Sequence, residues 1–268
     1  MSRPGTKPTT SRSTSRRFTP RRTAFCRTRS LPLAQRPGLP EVFALTLGGT
    51  ASQSVFLSEV DGIAEVLDAQ YGSGPRTLRL ANSEDDPTRY PLANRANLSR
   101  ALDALGARMG PEDVAFLVLT SHGAPDRFSL SFDEAGTTDL TAAELAGMLD
   151  HSGIGSAVIV LQACFAGSFI DDLAAPGRLI VTAASARRTS FGCADGRAWT
   201  EFGQSFFDLA LRAEPDPRKA FEVARRNVRG KELLRFTLFG SDPQIFEGAA
   251  IGPALDLLLS QRLADASR

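Results

Sequence analysis

Apolar residues fall along this chain in two alternating patterns. Short unbroken runs, Val42 to Leu47, Phe116 to Leu119 and Ala157 to Leu161, read as strands buried on both faces of a parallel sheet. Thr77 to Leu80, which follows the breaker Gly72-Ser73-Gly74-Pro75, and Arg178 to Thr182 supply two more. Between the runs the period changes. Val55 to Ala69 spaces Val60, Ile63, Ala64 and Leu67 as a helical stripe, and Asn94 to Met109 does the same with Leu98, Leu102 and Leu105. Thr141-Ala142-Ala143-Glu144 is a capping box that opens a helix to about Leu149, while Ala198 to Leu211 and Pro217 to Arg229 predict two further helices. Phe128 to Phe132 alternates apolar and polar and predicts a half-exposed hairpin strand. Strand alternating with helix is the pattern of an α/β fold with a mainly parallel sheet and helices on both faces.

Two of the runs end in chemistry. Phe116 to Leu119 leads into Thr120-Ser121-His122-Gly123, and Ala157 to Leu161 into Gln162-Ala163-Cys164-Phe165-Ala166-Gly167. Ligand crevices of open parallel sheets lie at the carboxyl ends of the strands, where both His122 and Cys164 fall. A thiol needs an imidazole to take its proton and return it to a leaving amine. The Gly123 and Cys164 amides can form an oxyanion hole beside that pair.

At these residues the chain resembles the caspase and legumain clan of cysteine peptidases, and most closely the bacterial members of the legumain family, peptidase family C13. The resemblance runs from about Val42 to about Gly248, through Leu80-Ala81-Asn82, Leu117 to Gly123, Ala163 to Phe169, Thr182 to Ser185, Thr189 to Cys193 and Ser241-Asp242-Pro243-Gln244. Gln162-Ala163-Cys164 matches the start of the caspase signature, with its glycine one residue later, at Gly167, as in legumain-like members. The resemblance implies a caspase-like α/β fold and a cysteine endopeptidase, with His122 and Cys164 as its dyad and the amides of Gly123 and Cys164 as the oxyanion hole. Some members carry an orienting Asn after the first strand; Leu47-Gly48-Gly49-Thr50 stands there in this chain, so no third catalytic residue is assigned. Gln162 and Gln204 fall where plant and animal legumains carry acidic residues lining the pocket for the side chain before the scissile bond. Both are neutral amides here. The Gln at 162 instead matches caspases, which read Asp with help from arginines, and Arg187 and Arg188 lie near enough in sequence to supply such a charge.

The same acyl-enzyme can be resolved by an amine rather than water, which is transpeptidation, and the sequence does not separate the two. A catalytically silent caspase-like binding module would have lost His122 or Cys164, and both are present.

Charge divides the chain. Of its 31 basic and 30 acidic residues, ten basic and no acidic ones lie in residues 1–40, which leaves a net of −9 for the remainder. Residues 1–40, rich in Ser, Thr, Pro and Arg, are expected to be a disordered basic extension, and residues 41–268 one peptidase domain. An Arg-rich, acid-free start has the composition of a transit peptide, and Ser15-Arg16-Arg17 is similar to a twin-arginine signal, yet no apolar h-region follows. The acidic remainder gives no surface for nucleic acid, and no run approaches a membrane span. Cys26, Cys164 and Cys193 are unpatterned, which argues against a disulfide scaffold or a zinc site. A cytoplasmic protein acting on peptide or protein substrates, with no metal or organic cofactor, is expected; its oligomeric state is left open. His151, at a predicted helix end, Cys193, and the adjacent carboxylates Asp171 and Asp172 are assigned structural or solvated roles.

Overall fold

In a computed structural model, which describes residue 36 and residues 38–132, 139–235 and 239–266, the chain forms one sheet between two helical layers. In chain order the elements are β1 (Val42–Gly48), α1 (Ser54–Tyr71), β2 (Thr77–Ala81), α2 (Arg95–Gly106), β3 (Val114–Thr120), the short pair β4 (Gly123–Ala124) and β5 (Arg127–Phe128), and α3 (Ala142–Ser152). They continue with β6 (Ala157–Gln162), α4 (Ile170–Leu173), β7 (Arg178–Thr182), α5 (Glu201–Gly203, prolonged as a π-helix over Gln204–Leu211), α6 (Pro217–Leu234), β8 (Gln244–Glu247) and α7 (Ile251–Ala266). The sheet order is β2-β1-β3-β6-β7-β8, parallel except for the antiparallel edge strand β8. This is the caspase-like α/β architecture that the sequence predicts.

Every residue of β1, β3, β6 and β7 is buried, because the strands are covered on both faces. One core layer holds Leu45, Leu117, Ile159 and Leu161 under α2, α3 and α4. The other holds Phe116, Val118, Val158 and Val160 under α1, the α5 π-helix, α6 and α7.

Element ends depart from the sequence expectations where local chemistry intervenes. The helix expected from Ala198 starts instead after Thr200, whose hydroxyl accepts the Gly203 N–H at 3.0 Å as an N-cap. The helices from Ala142 and Pro217 run on to Ser152 and Leu234. The strand expected over Phe128 to Phe132 is regular only at Arg127–Phe128; beyond it Ser131 makes a single bridge to Thr50, and residues 133–138 lie outside the described residues. Phe128 and Leu130 are nonetheless fully buried, so the inward half of the alternation is as predicted. The edge strand β8 and helix α7 had no counterpart in the sequence reading.

The expected basic extension lies outside the described residues up to residue 35 and again at residue 37. Within the described chain, Arg36 bonds Glu41 at 3.1 Å, and the Gly38 N–H donates to Glu112 at 2.7 Å, both upstream of residue 41. Deleting residues 1–34 leaves these contacts in place. The melting temperature of that truncated chain is expected to match the full chain within about 2 °C, and a thermal unfolding scan of both proteins checks this.

Candidate active site

The candidate site follows from one strand register. β3 and β6 pair in parallel with Thr120 opposite Gln162, and the Ser121 N–H extends the pairing to the Gln162 carbonyl at 3.1 Å. His122 and Cys164 therefore stand at equal distances past a matched pair. Side chains alternate between faces, so Val118 and Thr120 in one strand, and Val160 and Gln162 in the other, fall on the α1 side, with His122 and Cys164 in the loops that follow. Phe56 of α1 touches the His122 ring, which places it there.

The loops that carry the two residues are in contact. A Cβ on Gly123 would lie 2.5 Å from the Cys164 carbonyl oxygen and 3.0 Å from Ala163 Cβ, so only glycine permits this approach. Phe165, directly after Cys164, holds a left-handed backbone at φ +58°, which costs a non-glycine residue on the order of 1 kcal/mol. Its N–H donates to the Arg188 carbonyl at 2.8 Å, and the Gly167 N–H donates to that of Ala184 at 2.9 Å. The sulfur of Cys164 receives the Ser190 N–H at 3.3 Å and lies 3.7 Å from the Ser190 carbonyl. Among the described residues the Cys164 N–H donates to no protein acceptor. The imidazole of His122, half-buried, forms no hydrogen bond to another described residue, and burial holds its pKa below the ordinary histidine value. At neutral pH it is a neutral base.

Beneath the dyad lies a polar layer. Glu59 of α1 is fully buried and accepts hydrogen bonds from the Thr120 hydroxyl at 2.5 Å and from the Thr200 N–H and hydroxyl at 2.8 Å each. Burial outweighs these bonds and Arg197, so its carboxyl titrates above the usual range. Gln162 is buried beside it, and neither Oε1 nor Nε2 has a partner. Both side chains converge on Gly203, where an added Cβ would stand 1.9 Å from Glu59 Oε1 and 2.7 Å from Gln162 Oε1. The adjacent Gln204 points elsewhere: its Oε1 accepts from Lys231 Nζ at 2.8 Å. The Cys193 thiol, on the loop that crosses Cys164, is pushed up to about 12 by burial, then by Cys164 and Glu59.

The remaining sequence candidates stand apart. His151 is exposed at the end of α3, and Asp171 and Asp172 are exposed in α4. Arg187 is exposed, and Arg188 stacks its guanidinium 4.9 Å from the Phe239 ring centre. Among the described residues no group of three or more His, Cys, Asp or Glu is placed to hold a metal ion, and no helix is long and apolar enough to cross a membrane. Sequence reasoning missed Glu59. Its signal was a lone acid inside the apolar stripe of Val55, Phe56, Val60 and Ile63.

A sequence profile described as the peptidase C13 family matches residues 99–242, a span that holds β3, β6 and both loops. The fold is similar to that of caspase-1 from Spodoptera frugiperda, with a TM-score of 0.52 and 12% identity over 78% of this chain and 86% of that one. No curated protein matches the sequence.

Glu59 generates a stability prediction. A carboxyl whose folded pKa is raised binds its proton more tightly in the folded chain, so its penalty is absent below the unfolded value and grows as pH rises from about 4.5. Glu59→Gln keeps the size and can bond both threonines. It should be at least as stable as the parent at pH 7 and gain on it as pH rises from 4.5, whereas Glu59→Ala should lose about 3 kcal/mol. Urea unfolding at several pH values reads both.

Proposed function

We propose that this chain, which belongs to the peptidase C13 family and is a cysteine-type peptidase, is an endopeptidase working through a Cys164–His122 dyad and an acyl-enzyme. The observation that carries the reading is the register: paired central strands deliver an imidazole and a thiol, two residues beyond Thr120 and Gln162, to one face of the sheet.

His122, neutral at working pH, takes the thiol proton as the sulfur attacks the peptide carbonyl. The oxygen that becomes negative is met by the unengaged N–H of Cys164 together with that of Gly123, whose loop packs directly against the Cys164 carbonyl. His122 then returns its proton to the leaving amine as the C–N bond breaks and the acyl group stays on sulfur; in the second half His122 takes a proton from the water that attacks the thioester carbonyl and gives it to the Cys164 sulfur as the C–S bond breaks. The resemblance assigns the side chain before the scissile bond to Gln162, whose amide is unpartnered, and to Gln204, which has to leave Lys231 and turn towards Gln162 to share in that pocket. Two neutral amides do not attract a cation as two carboxylates would. Asn or Asp is the expected residue, and Lys or Arg the poor one. Residues 41–268 act as the peptidase unit and residues 1–40 as an extension to it.

Cys164→Ala and His122→Ala should each lower turnover of a verified peptide substrate by about a thousandfold or more. The melting temperature of Cys164→Ala should stay close to that of the parent, since one small side chain replaces another. Activity above a few per cent in Cys164→Ala overturns the dyad. Because burial lowers the His122 pKa, the base stays neutral as pH falls below 6.5, and kcat/KM should hold there before it drops.

Specificity has its own test. Cleavage of a peptide library should rank Asn and Asp above Lys and Arg, and Gln204→Glu should weaken cleavage after Asp, because like charges in a confined site repel. A strong preference for Lys or Arg that is unchanged by Gln204→Glu removes both glutamines from the pocket.

A further inference from the structure

A histidine base needs an orienting partner, and the usual one is a hydrogen-bonding side chain that fixes the ring and stabilises it when protonated. No such partner is present here among the described residues. Thr50, which follows β1, has its hydroxyl committed to Ser121 Oγ at 2.8 Å. Asn82, whose N–H pairs with the Gly48 carbonyl, is used fully: its side chain donates to the Gly49 and Ala93 carbonyls at 2.9 Å and accepts the Ala93 N–H at 3.1 Å. Burial is the cause of the lowered His122 pKa.

What the imidazole does touch is aromatic. Phe56 stands 5.3 Å from it, centre to centre, with the two planes at 84°. This is an edge-to-face pair, a geometry in which the electron-rich face of one ring attracts the positive edge of the other. Phe56 is itself fully buried and sits in the first turn of α1. That turn is docked on the end of β1 at Gly48, where a Cβ would come within 3.0 Å of the Phe56 carbonyl oxygen and 3.2 Å of Val60 Cγ2. The ring is thus carried by a rigid helix seated on the same sheet that presents His122.

We propose that Phe56 is the positioning residue of the dyad, its ring held edge-to-face against the His122 imidazole in place of the hydrogen-bonding third member of a triad. The inference rests on the dyad reading above. Two consequences follow. Contact with a fixed ring limits the rotation of the imidazole between turnovers. The charge distribution of an aromatic ring acts differently on an imidazolium and on a neutral imidazole, so the contact also bears on the proton that His122 takes up, in a site where water is partly excluded. Phe56 does not touch the substrate; it acts through His122.

The test exploits the small number of histidines. The chain holds only His122 and His151. A proton NMR titration of the full chain carrying Cys164→Ala therefore follows two imidazoles, with exposed His151 as the internal reference. Two changes at position 56 are compared in that background: Phe56→Leu, which removes the aromatic face, and pentafluorophenylalanine, which keeps the ring shape and reverses its charge distribution. The His122 pKa is expected to shift by roughly half to one pH unit with Leu and to differ again with the fluorinated ring, while His151 is unmoved. In chains that retain Cys164, kcat should fall about tenfold with KM within about twofold. If kcat falls while His122 titrates as in the parent, Phe56 is only packing and the proposal is overturned. A fluorinated chain that titrates and turns over like the parent overturns it as well. Should Phe56→Leu fail to fold, the fluorinated ring carries the test alone. Failure of the dyad reading is distinguishable, because it appears as turnover surviving His122→Ala, whereas the titration needs no turnover.

Discussion

The hydrogen-bonded pairing of β3 with β6 is the constraint on which the site depends. It lies at the centre of the six-stranded sheet, with both faces covered. A slip of one residue between these strands would turn His122 or Cys164 onto the opposite face and expose or bury every other residue wrongly. Val118 with Val160 and Leu119 with Leu161 make that slip expensive, since each pair is fitted to a different core layer. The matched starting points of the His122 and Cys164 loops are thus a by-product of core packing.

Along the α1 face the two strands change character in step. Val118 and Val160 are core, Thr120 and Gln162 are buried and polar, and His122 and Cys164 emerge at the crevice. The middle pair needs partners that an apolar helix would not supply, and α1 supplies Glu59 in the turn after Phe56. That carboxylate ties β3 to α5 through Thr120 and Thr200, so the start of the helix bearing Gly203 and Gln204 is set by the same layer that underlies the dyad. A buried acid is a costly way to join three elements. Its retention here goes with the absence of a partner on Gln162, which leaves a polar floor open on one side.

Legibility followed burial. Strands covered on both faces produce unbroken apolar runs, and so β1, β3, β6 and β7 could be read directly, with His122 and Cys164 marked by their place after two of them. Edge strand β8 is short, only partly buried and begins with Gln244, so no run announces it. Helix α7 hides its core contacts, Ile251, Leu255 and Leu258, among Leu257, Leu259 and Leu263, which blur the stripe. The ring contact between Phe56 and His122 was illegible for a different reason. Phe56 is one more apolar residue of an amphipathic helix, and no periodicity distinguishes a ring that faces a strand from one that faces an imidazole.

The loop after β7 explains how the strained turn at Phe165 persists. Its carbonyls at Ala184 and Arg188 accept the Gly167 and Phe165 N–H groups, and its Ser190 main chain brackets the sulfur, so the Cys164 loop is held by backbone hydrogen bonds. That loop is in turn anchored at Phe191, whose carbonyl accepts the Glu201 N–H at 3.1 Å. The buried Glu201 carboxylate is bound by Arg197, Lys231 and Arg235 at 2.9 to 3.1 Å and 2.8 Å; burial alone would raise its pKa, but the bonds from Arg235 and Lys231 win and hold it below the usual range. A charged carboxylate that draws Lys231 of α6 and Arg235 directly after it holds this anchor at any pH where it stays ionised. The position of the Cys164 sulfur is therefore coupled, through one loop and one ion cluster, to a helix that lies outside the crevice.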